Sequence, residues 1–150
     1  MLRRDTLRYL ATGSMTLMFG ILKPISVLAN WNKAAFSSVD LDEAIAAYFP
    51  NQVIEKSEQI NIGVHSVVEN GAVVPVKVKT DLPKIESITI FVEKNPNPLI
   101  ASFNLSNGCV GFISTRIKMQ NSSDIIAVVK SDGLLFNSRK FVEVHEGGCG

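Results

Sequence analysis

The segments Ile60-Asn61-Ile62-Gly63-Val64-His65 and Val74-Pro75-Val76-Lys77-Val78-Lys79 decide the fold class of this chain. In both, an aliphatic residue stands at every second position, with a polar or small residue between. Successive side chains of a strand point to opposite faces, so a period of two reads as a half-buried β-strand. Glu69-Asn70-Gly71, lying between them, is a turn of the Asn-Gly kind. Pro75 has no N–H to give to a ladder, which places its strand at an edge or at a bulge.

The alternation continues toward the C-terminus. Ile88, Ile90 and Val92 make a third strand, and the prolines of Asn95-Pro96-Asn97-Pro98 make a rigid turn. Leu99, Ala101, Phe103 and Leu105 alternate in a fourth strand, and Asn107-Gly108 turns. Phe112 to Met119 is a fifth strand and Ile125 to Lys130 a sixth. Ser131-Asp132-Gly133 is a hairpin turn, and Arg139 to Val144 closes the series. About seven short strands with regular turn signals predict an antiparallel β-sandwich of immunoglobulin type. On the N-terminal side, Asp40 to Phe49 reads as one short helix that packs on the sandwich. Asp40 is its cap, Glu43 stands at the capping-box position, and Pro50-Asn51 is the stop.

With 150 residues and 46% hydrophobic content, the chain predicts one domain with a packed core. The formal charge is +1. The first 29 residues hold four basic residues and one acidic residue. Without them, the 15 basic and 14 acidic residues become 11 and 13, a net of −2. A near-neutral domain gives no electrostatic case for nucleic acid or an anionic membrane.

Residues 1–29 read as a targeting segment rather than part of the fold. Arg3-Arg4-Asp5-Thr6-Leu7 fits the twin-arginine pattern, and Tyr9 to Leu22 is moderately apolar but too short to span a bilayer as a helix. Val27-Leu28-Ala29 offers a small-residue cleavage site. The expectation is export to the bacterial periplasm in the folded state, with no membrane attachment after cleavage. The expected division is a signal at 1–29, a sandwich at 30–145 and a C-terminal arm at 146–150.

The chemistry concentrates in that arm. Gly147-Gly148-Cys149-Gly150 puts a thiol on a bare glycine tether. From Val144 to Cys149 the extended chain reaches at most about 17 Å. An unperturbed thiol, with a pKa of about 8.5, is only about 3% thiolate at pH 7. A protonated His145 folded back on it would raise that fraction, and Glu146 would lower it. The pattern suits a handle on which other proteins act. Elsewhere His65 and His145 lack ligand spacing, so no metal or cofactor is expected, and no phosphate loop or nucleophile elbow appears. Cys109, beside Gly108 and Gly111, reads as a small turn or core residue, with a disulfide to Cys149 as the alternative.

Several stretches together resemble the SoxY family, the sulfur-carrying subunit of the bacterial Sox thiosulfate-oxidation system. They are Glu69 to Val76, Val92-Glu93-Lys94-Asn95-Pro96-Asn97-Pro98-Leu99, Ser114-Thr115-Arg116-Ile117-Lys118-Met119 and the terminal Gly-Gly-Cys-Gly. The family tail usually carries one more glycine, which changes the reach past the thiol only slightly. The resemblance implies an immunoglobulin-like sandwich paired with a second sandwich subunit, SoxZ, in a heterodimer exported as a preformed complex. It implies that Cys149 carries the substrate covalently, with Gly147, Gly148 and Gly150 as the flexible arm. A haem-containing enzyme would conjugate thiosulfate to the thiol and a hydrolase would release sulfate. In many organisms a sulfane dehydrogenase would oxidise the remaining sulfur. The chain itself would then be a carrier and not an enzyme. Two other readings stand beside this one: a periplasmic interaction module whose tail is incidental, and a thiol redox protein that pairs Cys109 with Cys149.

Overall fold

The computed structural model describes residues 32–106 and 108–145. The twin-arginine segment and the arm residues 146–150, Cys149 included, lie outside them.

The fold is a β-sandwich with helices on one side. The elements are α1 (Lys33–Ser37), α2 (Leu41–Tyr48), β1 (Ile54–Lys56), β2 (Ile60–Gly63), β3 (Val67–Val68), β4 (Val74–Thr80), β5 (Ile85–Val92), β6 (Leu99–Asn104), β7 (Phe112–Ile117), β8 (Ser123–Ser131) and β9 (Leu134–Val144). One sheet has the order β1-β9-β8-β5-β6, with β3 also paired to β9, and the other has the order β2-β4-β7.

Alternation places the core. Val74, Val76 and Val78 of β4 are fully buried and face Ile88, Ile90, Ile125, Ala127 and Val129 of the larger sheet. β5 departs from the period of two. Its run from Ser87 to Val92 is buried on both faces, because the outer face of the larger sheet is covered as well. There Phe91, Ile126, Val128 and Leu135 pack against Ala35 and Ala44 of the helices. α2 begins as its sequence predicts, with Asp40 Oδ1 accepting hydrogen bonds from Asp42 N and Glu43 N. That cap satisfies two of the donors that a helix start leaves unpaired.

Four expectations need correction. Among the described residues there are nine strands, not about seven, because β1 and β3 are only three and two residues long. Both pair with β9 in parallel, so the sheet is mixed. A second helix, α1, precedes α2 and is capped by Asn32, whose Oδ1 accepts from Ala35 N. The Asn70 turn is real, with Asn70 Oδ1 accepting from Ala72 N, but it leads from one sheet to the other and closes no hairpin. Finally, Pro75 lies on the central strand of the smaller sheet. The ladder explains why it is tolerated there. β2 reaches only as far as the Gly63–Lys77 pair. Thr80 N bonds Gly111 O on the β7 side, so by alternation the odd residues of β4 face β2. At Pro75 that side has already run out of strand.

The hairpin forms at Ser131–Leu134 as expected. Asp132 and Gly133 have φ of 50° and 80°, the positive pair that a two-residue turn of this kind requires.

Candidate functional site

The described residues define the root of the arm. β9 is the longest strand and runs straight to it. Near its end it is held on both sides. On one side Val67 and Val68 of β3 pair with Glu143 and Val144, Glu143 N donates to Ser66 O, and His145 N donates to Val68 O at 2.9 Å. On the other side Val144 N donates to Ser122 Oγ at 2.9 Å. Backbone hydrogen bonding therefore continues through His145, the last of the described residues.

Packing closes in behind those bonds. Gly71 is needed at the root for space, since a Cβ there would collide with Met119 O and come within 2.8 Å of Val144 Cγ1. Met119 N in turn donates to Gly71 O. Asn95, 9% exposed, fixes the neighbouring loop. Its Nδ2 donates to Lys118 O at 2.7 Å and its Oδ1 accepts from Gln120 N at 2.9 Å. Gly71, Asn95 and Met119 also line a hollow of about 360 Å³ beside the root.

His145 does not reach forward along the arm in this arrangement. Its Nε2 lies 3.0 Å from Glu143 Oε1, two residues back on the same strand. His65 is exposed. Among the described residues no group of three His, Cys, Asp or Glu side chains could hold a metal ion.

Cys109 is a turn residue and not a core residue. It is exposed and free, its N donates to Ser106 O at 3.1 Å, and Gly108 before it has a φ of 91°. It lines a hollow with Ile85. Ile85 pairs with Ser131, and Ser131 with Leu134, the first residue of β9. Cys109 is therefore level with the start of β9, while the arm leaves from its end. The ten steps from Leu134 to Val144 span about 33 Å. The tail reaches at most about 17 Å from Val144. A disulfide needs Cα atoms within about 7 Å. The two cysteines of one folded chain cannot meet, which removes the geometric basis of the redox-pair reading.

Sequence reasoning missed the residues that hold the end of β9. Val68 sits in a strand too short for periodicity to reveal, and Ser122 carries no signal. Gly71 was visible, but as a turn former and not as the point of closest approach to β9.

Comparison with known proteins bears on this site. The family model described as "Sulfur oxidation protein SoxY" matches residues 45–149. A solved structure of the sulfur carrier protein SoxY from Chlorobium limicola f thiosulfatophilum is similar over 73% of this chain and 96% of its own. The identity is 37% and the TM-score 0.66. Superoxide reductase (neelaredoxin) from Ignicoccus hospitalis is similar in fold alone, at 15% identity and a TM-score of 0.52, over 59% of this chain and 81% of its own. No curated protein sequence matches.

Proposed function

The chain belongs to the SoxY family of sulfur oxidation proteins, and from that premise we propose that it is a covalent sulfur carrier whose Cys149 thiol bears the intermediates of thiosulfate oxidation. The observation that carries the reading is that the family match runs through residue 149 and so takes in the cysteine and the two glycines before it. The pinned root of β9 supports it, because a body that ends rigidly at His145 hands a defined starting point to the tail.

The chemistry requires no catalytic group in this chain. A haem-containing partner enzyme joins the Cys149 sulfur to the outer sulfur of thiosulfate. One S–S bond forms, the thiol proton leaves, and two electrons pass to the haem enzyme. A partner hydrolase then adds water across the bond between the outer sulfur and the sulfonate group, releasing sulfate and a proton and leaving a persulfide on Cys149. A sulfane dehydrogenase is the further partner where that persulfide is oxidised. The carrier works as a heterodimer with a SoxZ-like sandwich subunit in the periplasm, reached through the twin-arginine pathway.

Intact-mass analysis after incubation with thiosulfate and the haem enzyme tests this. A thiosulfate-derived adduct is expected on the native chain and on Cys109→Ser, and none on Cys149→Ser. An adduct that survives Cys149→Ser, or failure of the native chain to acquire one, would sink the proposal. Deleting residues 147–150 should abolish function, whereas an interaction module with an incidental tail would keep it.

A further inference from the structure

The two outer faces of the sandwich are unlike. Helices α1 and α2 cover that of the larger sheet, whereas the outward positions of β2, β4 and β7 are all exposed. Lys77 and Lys79 project from β4, Arg116 from β7, and Lys118 just beyond it. The other outward positions of these three strands are neutral. Among the described residues none of the four cations pairs with a carboxylate.

That is an unusual concentration for this chain. Residues 30–150 net −2, so four positive charges on one face leave −6 for the remainder. Arg116 pairs with Pro75, Lys77 with Ser114 and Lys79 with Phe112, so Lys77 is diagonal to Arg116 and one pleat from Lys79. Such neighbours are about 7 Å apart, inside the screening length of physiological salt. Asp81, exposed two residues beyond Lys79, is a carboxylate on the same side of the chain but forms no ion pair with them; an opposing negative surface would relieve the repulsion that remains. The row also has a direction. It ends at Lys118, whose carbonyl is bound by Asn95 and which precedes Met119, the residue packed at Gly71 on the arm's root.

We propose that the outer face of the β2-β4-β7 sheet is an electrostatic docking face for an acidic protein surface, namely that of an enzyme that receives the arm. This rests on the carrier reading. The short tail makes docking of the body necessary: from His145 the thiol reaches at most about 14 Å, so an enzyme with a recessed centre must close on the sandwich itself. A protein fits better than an anionic membrane. The face is a flat pleat with Phe112, 47% exposed, among its cations, the mix typical of protein interfaces, and the net negative charge of residues 30–150 opposes a bilayer.

The test is the second-order rate of thiosulfate conjugation to Cys149 by the purified haem enzyme of the same organism, measured from low to high salt. Steered association predicts that the native rate falls about tenfold or more with salt. The triple variant Lys77→Gln, Lys79→Gln, Arg116→Gln should be about tenfold slower at low salt and nearly flat with salt. Its alkylation by the neutral reagent iodoacetamide should equal that of the native chain, which reports an intact arm and fold. Lys33→Gln serves as a charge control away from this face and should behave as native. The salt profile of the native chain needs no variant, so a misfolded triple variant leaves the proposal falsifiable. A salt-independent native rate, or a triple variant with the native rate and slope, overturns it. So does native protein that co-sediments with phosphatidylglycerol vesicles through these residues, which would assign the face to a membrane. Native chain that takes up sulfur at any salt upholds the carrier reading whatever the face does, and failure to take it up at every salt sinks both.

Discussion

The two poles of the sandwich are built from the same strands to opposite ends. At the pole where β9 finishes, backbone is held by backbone and by side chains. β3 and Ser122 bracket the strand, Gly71 admits Val144, and Asn95 ties down the loop between β7 and β8. At the other pole Gly111 is packed as closely, against Ile85 and Thr80, but the loops beyond it stand open. Gly108 and Gly133 take positive φ with nothing near a Cβ position, Cys109 is exposed, and ion pairs of exposed side chains trim the loops. The difference lies in the loops: those beside the end of β9 are pinned by the side chains of Ser122 and Asn95, whereas those at Gly108 and Gly133 stand open.

The sharpest way to break that contrast is to bring the poles together chemically. Mild oxidation of the folded native chain should yield no intrachain Cys109–Cys149 disulfide by non-reducing peptide mapping. Such a bridge appearing in quantity would mean that β9 does not separate the cysteines as described.

Glycine substitution comes next. Gly71→Ala should cost about 2–3 kcal/mol by overpacking the root, whereas Gly133→Ala should cost about 1 kcal/mol through its positive φ alone. Urea titration of the two variants checks the order, and equal costs would erase the distinction between packed and open poles. Asn95→Ala should cost about 2 kcal/mol, since Lys118 O and Gln120 N both lose a partly buried partner. Hydrogen exchange should show the loss concentrated at residues 118–120.

The smallest effect belongs to the open pole. Lys130 Nζ lies 2.7 Å from Glu86 Oε2, and Gly133 N donates to Glu86 Oε1. The hydrogen bond from Lys130, with that from Gly133 behind it, holds the Glu86 carboxyl below its ordinary value of 4.5. A lowered folded value means that the contribution is present above the unfolded value and is lost as the pH falls through the folded one. Glu86→Gln should therefore lower Tm slightly at pH 7, and the gap should close in acid. A gap that widens below pH 4 would contradict the assignment.

The larger part of the fold was legible in the sequence. Val74, Val76 and Val78 declare their buried face by spacing alone, and Asp132-Gly133 declares its turn. What stayed hidden has a common physical cause. β1 and β3 owe their existence to the free edge of β9, a tertiary partner that local periodicity cannot register. Pro75 misled because an edge was inferred for a whole strand when only one end of it is uncovered. For the site, a thiol among glycines drew the reading to residues 146–150, which lie outside the described residues. The hold on the end of β9 was not legible, because Val68 acts through a backbone carbonyl that any residue could supply and Ser122 through a single hydroxyl that belongs to no pattern.

One consequence of the placement of β9 is mechanical. The strand is flanked by β8 along its length and by β1 and β3 at its two ends. Tension applied to Val144 along the axis of β9 loads those ladders in shear. Many bonds must then slip together, where a strand tugged from the side would unzip one bond at a time.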